Sequence, residues 1–231
     1  GMHGEDMEEA ARAFYRDRYP LCGAEIFELM RDTEEAVRRI IYLKGYYFSE
    51  LSFFPQLNHS KNHFYFEMMK DPYEITSGEW FIPVGWDRGS MESVREEKAS
   101  AVSMATSFLE KLMTLKDRLT PDDYKALLIK FQNLKITAEM WQLLVEIFCH
   151  YVHFFSDRNP AEEALLNDAL DAMMAKCLEG EALLGDRFFC ELGKQDAHQD
   201  FVRMFISDVR ESFAAEKADT ARLLATDPYD F

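Results

Sequence analysis

Four polar residues share one face of a helix that the sequence predicts near the middle of the chain. Glu146, His150, His153 and Asp157 stand at i, i+4, i+7 and i+11, a spacing that metal ligands on a helix can adopt. The apolar residues of the same stretch, such as Val145, point roughly 150° away. A solvated face with Glu–His pairs is therefore the simpler interpretation. Glu146, His150 and His153 remain weak metal candidates, and no cofactor is predicted.

A run of aromatic and charged side chains in the first half of the chain is a candidate ligand site. Tryptophan faces stack on sugar rings, and Asp, Glu and Arg bind hydroxyl groups. The alternative is that these rings close the top of a helical bundle, because Trp and Phe bury large apolar areas. The sequence leaves both alternatives open. The candidate residues are Tyr73, Glu79, Trp80, Trp86, Asp87 and Arg88.

No catalytic residue is predicted from the motifs. The chain has no GxSxG nucleophile turn and neither of the common glycine-rich phosphate loops. Asp and Glu number 42, so too many carboxylate pairs are available for one to be chosen. The four cysteines form no CxxC pair and are expected to be small buried hydrophobic residues. Whether the chain is an enzyme is therefore left open.

Composition limits the partners. Hydrophobic residues make up 48% of the 231 residues and charged residues 29%, which suits one folded domain over 1–231. The net charge of −16 repels phosphate, so nucleic acid and anionic membranes are not expected partners. No stretch is apolar enough to span a bilayer, and no signal peptide is present. Localisation stays undecided, with the cytoplasm favoured.

Hydrophobic spacing predicts an all-α fold. Helices are expected over 5–49, interrupted at Pro20, and again over 160–224, with an irregular aromatic-rich loop over 53–89 between the first helices and the rest. Two heptad-like runs cover 91–156 and are separated by Thr120-Pro121-Asp122-Asp123, a strong helix start. So short a connection requires the two long helices to fold back as an antiparallel hairpin. The predicted architecture is a helical bundle built on this hairpin.

Ser93 to Glu96 has the form of a capping box, and the apolar spacing after it places Lys98 on the buried stripe. Asn159-Pro160 predicts the start of a helix that Gly180 is expected to close, and the buried stripe of the last helix is expected at Val202, Ile206, Val209 and Phe213.

Three segments resemble a known family. Residues 7–37 (MEEAARAFYRDRYPLCGAEIFELMRDTEEAV) resemble the helices that follow the catalytic (β/α)8 barrel in large glycoside hydrolases. Residues 97–124 are similar to the paired long helices of that class. Residues 141–160 resemble the helical domain of α-glucuronidases, and the general architecture resembles that of hexosaminidases.

The resemblance implies a non-catalytic accessory domain of a carbohydrate-active enzyme. Such a domain packs on the catalytic barrel or forms a homodimer, and its aromatic loop can contribute to carbohydrate binding. Catalytic carboxylates of this class lie on the barrel, so none is carried onto this chain. One alternative is a standalone helical, chaperone-like protein that holds a peptide or small ligand. A metal enzyme built on the long helix is a third, less favoured alternative.

Overall fold

The computed structural model describes residues 4–43, 46–47, 88–157, 159–185, 188 and 198–218. Within these residues the fold is all-α, as predicted, and the helices pack as a bundle. The six α-helices are α1 (Gly4–Arg18), α2 (Gly23–Ile41), α3 (Arg88–Thr114), α4 (Pro121–Asp157), α5 (Ala161–Leu184) and α6 (His198–Ala218). A 3-10 turn covers Lys116–Arg118. None of the helices in this part of the chain is long and apolar enough to cross a membrane.

The first helical region is split and is shorter than predicted. α1 ends at Arg18, just before Pro20, and α2 begins where Gly23 lies against the backbone of Tyr15. A Cβ atom on Gly23 would come within 2.3 Å of the Tyr15 carbonyl oxygen, so only glycine fits this approach. The two helices then pack on each other.

α2 ends at Ile41, whereas the sequence predicted a helix as far as Ser49. Strand β1 (Tyr42–Leu43) follows directly and pairs antiparallel with β2 (Tyr46–Tyr47). Aromatic residues favour extended backbone, and this short pair replaces the predicted last turns of the helix. The predicted loop over 53–89 lies outside the described residues except for its last two positions, which belong to α3.

The antiparallel hairpin is formed by α3 and α4. Arg95 pairs with Glu146, and Phe108 contacts Phe131, so later residues of α3 meet earlier residues of α4. Thr120 caps α4 as predicted: the amide of Asp123 donates to its hydroxyl oxygen at 3.2 Å. The start of α3 was predicted wrongly, because the apparent capping box at Ser93 lies inside a helix that begins at Arg88.

α4 is the central helix of the bundle. It contacts α2, α3 and α5, and the rings of Tyr151 and Phe154 contact Phe213 of α6. From Ile136 to Tyr151 its buried residues spread over about 220° of the helix surface, and the polar residues on the remaining side, such as Glu139 and Glu146, are only partly exposed. The buried residues are Ile136, Ala138, Met140, Trp141, Leu144, Val145, Ile147, Phe148, Cys149 and Tyr151.

α5 continues past its predicted end. Gly180 was expected to close it, but the helix runs on to Leu184 and ends at Gly185, whose φ is +54°. Gly180 has a packing role instead: a Cβ atom there would lie 2.4 Å from the ring of Phe188, which is 1% exposed. In α6 the predicted buried stripe is confirmed at Val202, Ile206, Val209 and Phe213.

A lysine is enclosed in the core between α2 and α3. The Lys98 side chain is fully buried, and its ammonium donates to the backbone carbonyl of Arg39 and to the Glu97 carboxylate at 3.0 Å. Arg39 lies in the last turn of α2, so the ammonium satisfies a carbonyl that has no partner within the helix. Burial nevertheless disfavours the charged form and lowers the pKa of Lys98 to about 8.

This burial predicts a pH-dependent stability difference between the wild type and Lys98→Met. An unfolded lysine titrates near pH 10.4, about two units above the value in the folded chain. Between these values the unfolded chain retains a proton that the folded chain has lost, so the wild type gains stability as pH rises. Relative to Lys98→Met, the gain from pH 7.5 to 10.5 is expected to be about 3 kcal/mol in urea unfolding.

Lys125→Met is the matched control because Lys125 is exposed. Its stability difference from the wild type is expected to stay flat over the same pH range. A flat difference for Lys98→Met as well would contradict the buried position of the ammonium.

Candidate functional site

The histidine-containing polar cluster lies where α3, α4 and α5 meet. Arg95 of α3 donates from Nε and Nη2 to Oε2 of Glu146 on α4, at 3.0 and 2.5 Å. One turn later, His150 places Nδ1 2.7 Å from Oε2 of Glu162 in the first turn of α5. The other ring nitrogen of His150 lies 3.7 Å from Oε2 of Glu146. The four side chains therefore link three helices.

The polar stripe of α4 is covered, so the predicted solvated face was a wrong interpretation. The side chains of His150 and Glu162 are 13% and 15% exposed, and that of Glu146 is 22% exposed. His153, farther along α4, is buried. α3 and α5 flank the stripe and supply the groups of opposite charge. Periodicity located the polar stripe correctly but could not show what packs over it.

Glu139, on the same polar stripe of α4, also pairs with a side chain of a neighbouring helix. Glu139 of α4 lies between Lys135 of its own helix and Lys176 of α5, which is 3.0 Å away. Burial opposes the charged form of Lys176, but hydrogen bonds to Glu179 and Glu139 outweigh it and raise its pKa. Glu139, Glu146 and His150 are thus each paired with a side chain of a neighbouring helix.

The pKa shifts in this cluster favour stable ion pairs over a reactive side chain. The hydrogen bonds from Arg95 to Glu146 raise the pKa of the guanidinium further above its usual value. The neighbouring Cys149 is buried, which raises the pKa of its thiol to about 12. A thiol with so high a pKa holds its proton at neutral pH and is a poor nucleophile. Cys22 and Cys177 are also buried and free, as the sequence predicted.

The chemistry open to His150 is limited by its two carboxylate neighbours. Both of its ring nitrogens lie near carboxylates of the bundle itself, so the ring is held by the side chains of Glu162 and Glu146. A metal-binding histidine needs one ring nitrogen with a lone pair toward the ion. Among the described residues, no group of three or more His, Cys, Asp or Glu side chains has the placement of a metal site. Glu146 and His150 therefore act as inter-helix contacts in this geometry, and His153 is buried farther along the helix.

The predicted aromatic site stays a prediction. Tyr73, Glu79, Trp80, Trp86 and Asp87 lie outside the described residues. Arg88, the last member of the set, is the first residue of α3.

Two members of the polar cluster were missed from the sequence. Glu162 carried a usable signal, because acids favour the first turn of a helix and Asn159-Pro160 predicts a start there. Arg95 gave no such signal, since its partner Glu146 is 51 residues away in the chain.

A groove separates α5 and α6. It has a volume of about 470 Å³, with Leu166 and Phe213 as apolar lining. Its polar lining includes Glu163 and Lys217, whose charged groups are 2.6 Å apart, and Arg210, which is 2.7 Å from Asp171. The groove therefore combines apolar lining with two cationic groups, each of which is paired with an acid.

No known protein family, curated protein or solved structure matches the chain. The resemblance to the helical domains of glycoside hydrolases therefore stays a prediction from the sequence.

The His150–Glu162 contact is expected to show a measurable coupling energy. A double-mutant cycle with His150→Ala, Glu162→Ala and the double variant should give about 1–2 kcal/mol in urea unfolding at pH 6, because both groups are largely buried. The exposed Arg203–Asp200 pair is the control and should give less than about 0.5 kcal/mol. Equal coupling energies for the two pairs would contradict the structural role of the cluster.

Proposed function

We propose that this chain is a non-catalytic helical accessory domain that docks on the catalytic domain of a carbohydrate-active enzyme. The observation that carries the docking role is the composition of α5, which is apolar on its exposed side as well as on its buried side.

The buried side of α5 packs into the core. Its buried residues are Leu166, Ala169, Leu170, Met173, Cys177, Gly180 and Leu184. On the exposed side Asp171 pairs with Arg210 of α6, but Leu165, Leu178 and Leu183 are 44%, 43% and 52% exposed. A helix whose outer side meets only water is normally polar on that side. Contiguous exposed apolar surface of this kind typically marks a protein interaction site.

The polar cluster supports a non-catalytic role for the bundle. The groups with the best chemistry for catalysis, His150 and Glu146, are paired with Glu162 and Arg95 and link helices. Lys98, whose pKa is lowered by burial, holds the end of α2. Perturbed groups can be structural as well as functional, and here their contacts account for them.

The carbohydrate-active part of the proposal is supported by the sequence resemblance in residues 7–37, 97–124 and 141–160. In that class the helical domain packs on the barrel that carries the catalytic carboxylates.

The test uses the catalytic domain encoded with this chain or next to it. This chain is expected to hydrolyse no aryl glycoside alone and to raise the melting temperature of that catalytic domain by several degrees, because binding to the native state stabilises it. Differential scanning calorimetry of each protein and of the mixture measures the shift. The proposal fails if no catalytic domain is encoded there, or if the mixture melts as the separate proteins do. It also fails if this chain hydrolyses glycosides and one substitution in it abolishes the activity.

A small-ligand binding protein is a second candidate, which the groove between α5 and α6 favours. An amphiphilic anion fits a groove that pairs Phe213 with Lys217 and Arg210. If this is the function, anilinonaphthalene sulfonate should bind with micromolar affinity, and Lys217→Gln should weaken binding about tenfold. Arg203→Gln, on the same helix but outside the groove, should leave binding unchanged. Equal effects of both substitutions would remove this candidate.

A further inference from the structure

We infer that the exposed face of α5 is a docking site for one basic amphipathic helix of another polypeptide, which has bulky apolar residues along one face and Lys or Arg beside them. The inference rests on the proposed docking function and specifies its surface and partner. Eleven positions of α5 are exposed. Eight of them are Ala or Leu, and the remaining three are Asp168, Asp171 and Glu179.

The shape of this face suits a helix with large side chains. At about 100° per residue, Ala164, Ala175 and Ala182 fall within about 20° of one line along the helix. Leu178 lies on one side of this line, and Leu165 and Leu183 lie on the other. Small residues at the centre let a second helix approach closely, and the leucines border its apolar stripe on both sides. Over 24 residues the face is about 36 Å long.

The charges on the face select the partner. All three exposed charged residues of α5 are acidic, and the whole helix has six acids and one lysine. By the same rotation Asp171 lies about 20° from the central line on one side, and Asp168 and Glu179 lie about 40° and 60° from it on the other, all between the flanking leucines. Asp171 pairs with Arg210, and Glu179 pairs with Lys176. A basic amphipathic helix complements this pattern, because its apolar face can meet the Ala and Leu residues while Lys or Arg beside that face meets the acids.

The same charges argue against a second copy of this chain as the partner. An isologous contact would place α5 against α5 and bring acids to face acids, in a chain whose net charge is −16. Met7 and Phe14 of α1 are also exposed and serve as a comparison for the α5 face. The exposed charged residues near them are of both signs, Arg16 and Asp17, whereas those of α5 are all acidic.

The test uses two synthetic helical peptides of three heptads, with Leu on one face and either Lys or Glu at all other positions. Fluorescence anisotropy measures their affinity for the whole chain. The Lys peptide is expected to bind with micromolar affinity, and the Glu peptide at least about tenfold more weakly. Equal binding of both peptides, or no binding of the Lys peptide, would overturn the inference.

Substitutions that leave the net charge unchanged distinguish binding of the Lys peptide to the α5 face from a general attraction of that peptide to the acidic chain. The triple variant Leu165→Gln, Leu178→Gln, Leu183→Gln removes apolar area without changing net charge, and it should weaken Lys-peptide binding about tenfold or more. The control Met7→Gln, Phe14→Gln should bind within about twofold of the wild type. All of these side chains are exposed, so both variants should keep the melting temperature of the wild type within a few degrees.

Three results would count against the inference. The triple variant could bind as the wild type does, or the α1 control could lose as much affinity as the triple variant. Sedimentation could also show self-association that the triple variant abolishes, which would make a second copy the partner. The catalytic-domain test distinguishes the two proposals. If the triple variant stabilises that domain as well as the wild type does, this surface is wrong and the accessory function stands. If the wild type gives no stabilisation, the function itself is wrong.

Discussion

The enclosure of α4 is the constraint on which the rest of the bundle depends. From Ile136 to Tyr151 no residue of the helix is exposed, so each polar side chain in this part of it has lost part of its contact with water. A partly buried charge is costly unless a partner compensates it. Arg95, Glu162 and Lys176 are these partners, and each comes from a neighbouring helix. The polar stripe of α4 thereby fixes how α3 and α5 sit against it.

The same reasoning explains why groups suited to chemistry are structural here. His150, Glu146 and Lys98 have the residue types that active sites use, and each side chain is largely buried. Their contacts are directed at other helices or at a helix end, and the thiol of Cys149 beside them is kept protonated by burial. Some apolar side chains, by contrast, lie on the surface. α5 leaves leucines exposed where a solvent-facing helix would place polar residues.

Local signals predicted the framework well. The heptad-like runs identified the hairpin, and Thr120 with Asp123 gave the start of α4 because capping depends on residues three positions apart. The heptad pattern even placed Lys98 on the buried stripe of α3, although its type argued against burial. Features that depend on distant contacts were missed. Gly180 resembled a helix end, but its role is set by the ring of Phe188. The polar stripe of α4 resembled a surface because spacing cannot show that α3 and α5 cover it.

Hydrogen exchange of the native chain, followed by mass spectrometry of its fragments, tests the enclosure of α4 most directly. If α4 is the enclosed centre, amides of residues 136–151 exchange only through global unfolding, with a free energy equal to that from urea unfolding. Amides of α1, which has no fully buried side chain among its described residues, should exchange through local opening at lower free energy. Exchange of residues 136–151 as fast as that of α1 would contradict the account, because the pairings that hold α3 and α5 against α4 would then not be fixed.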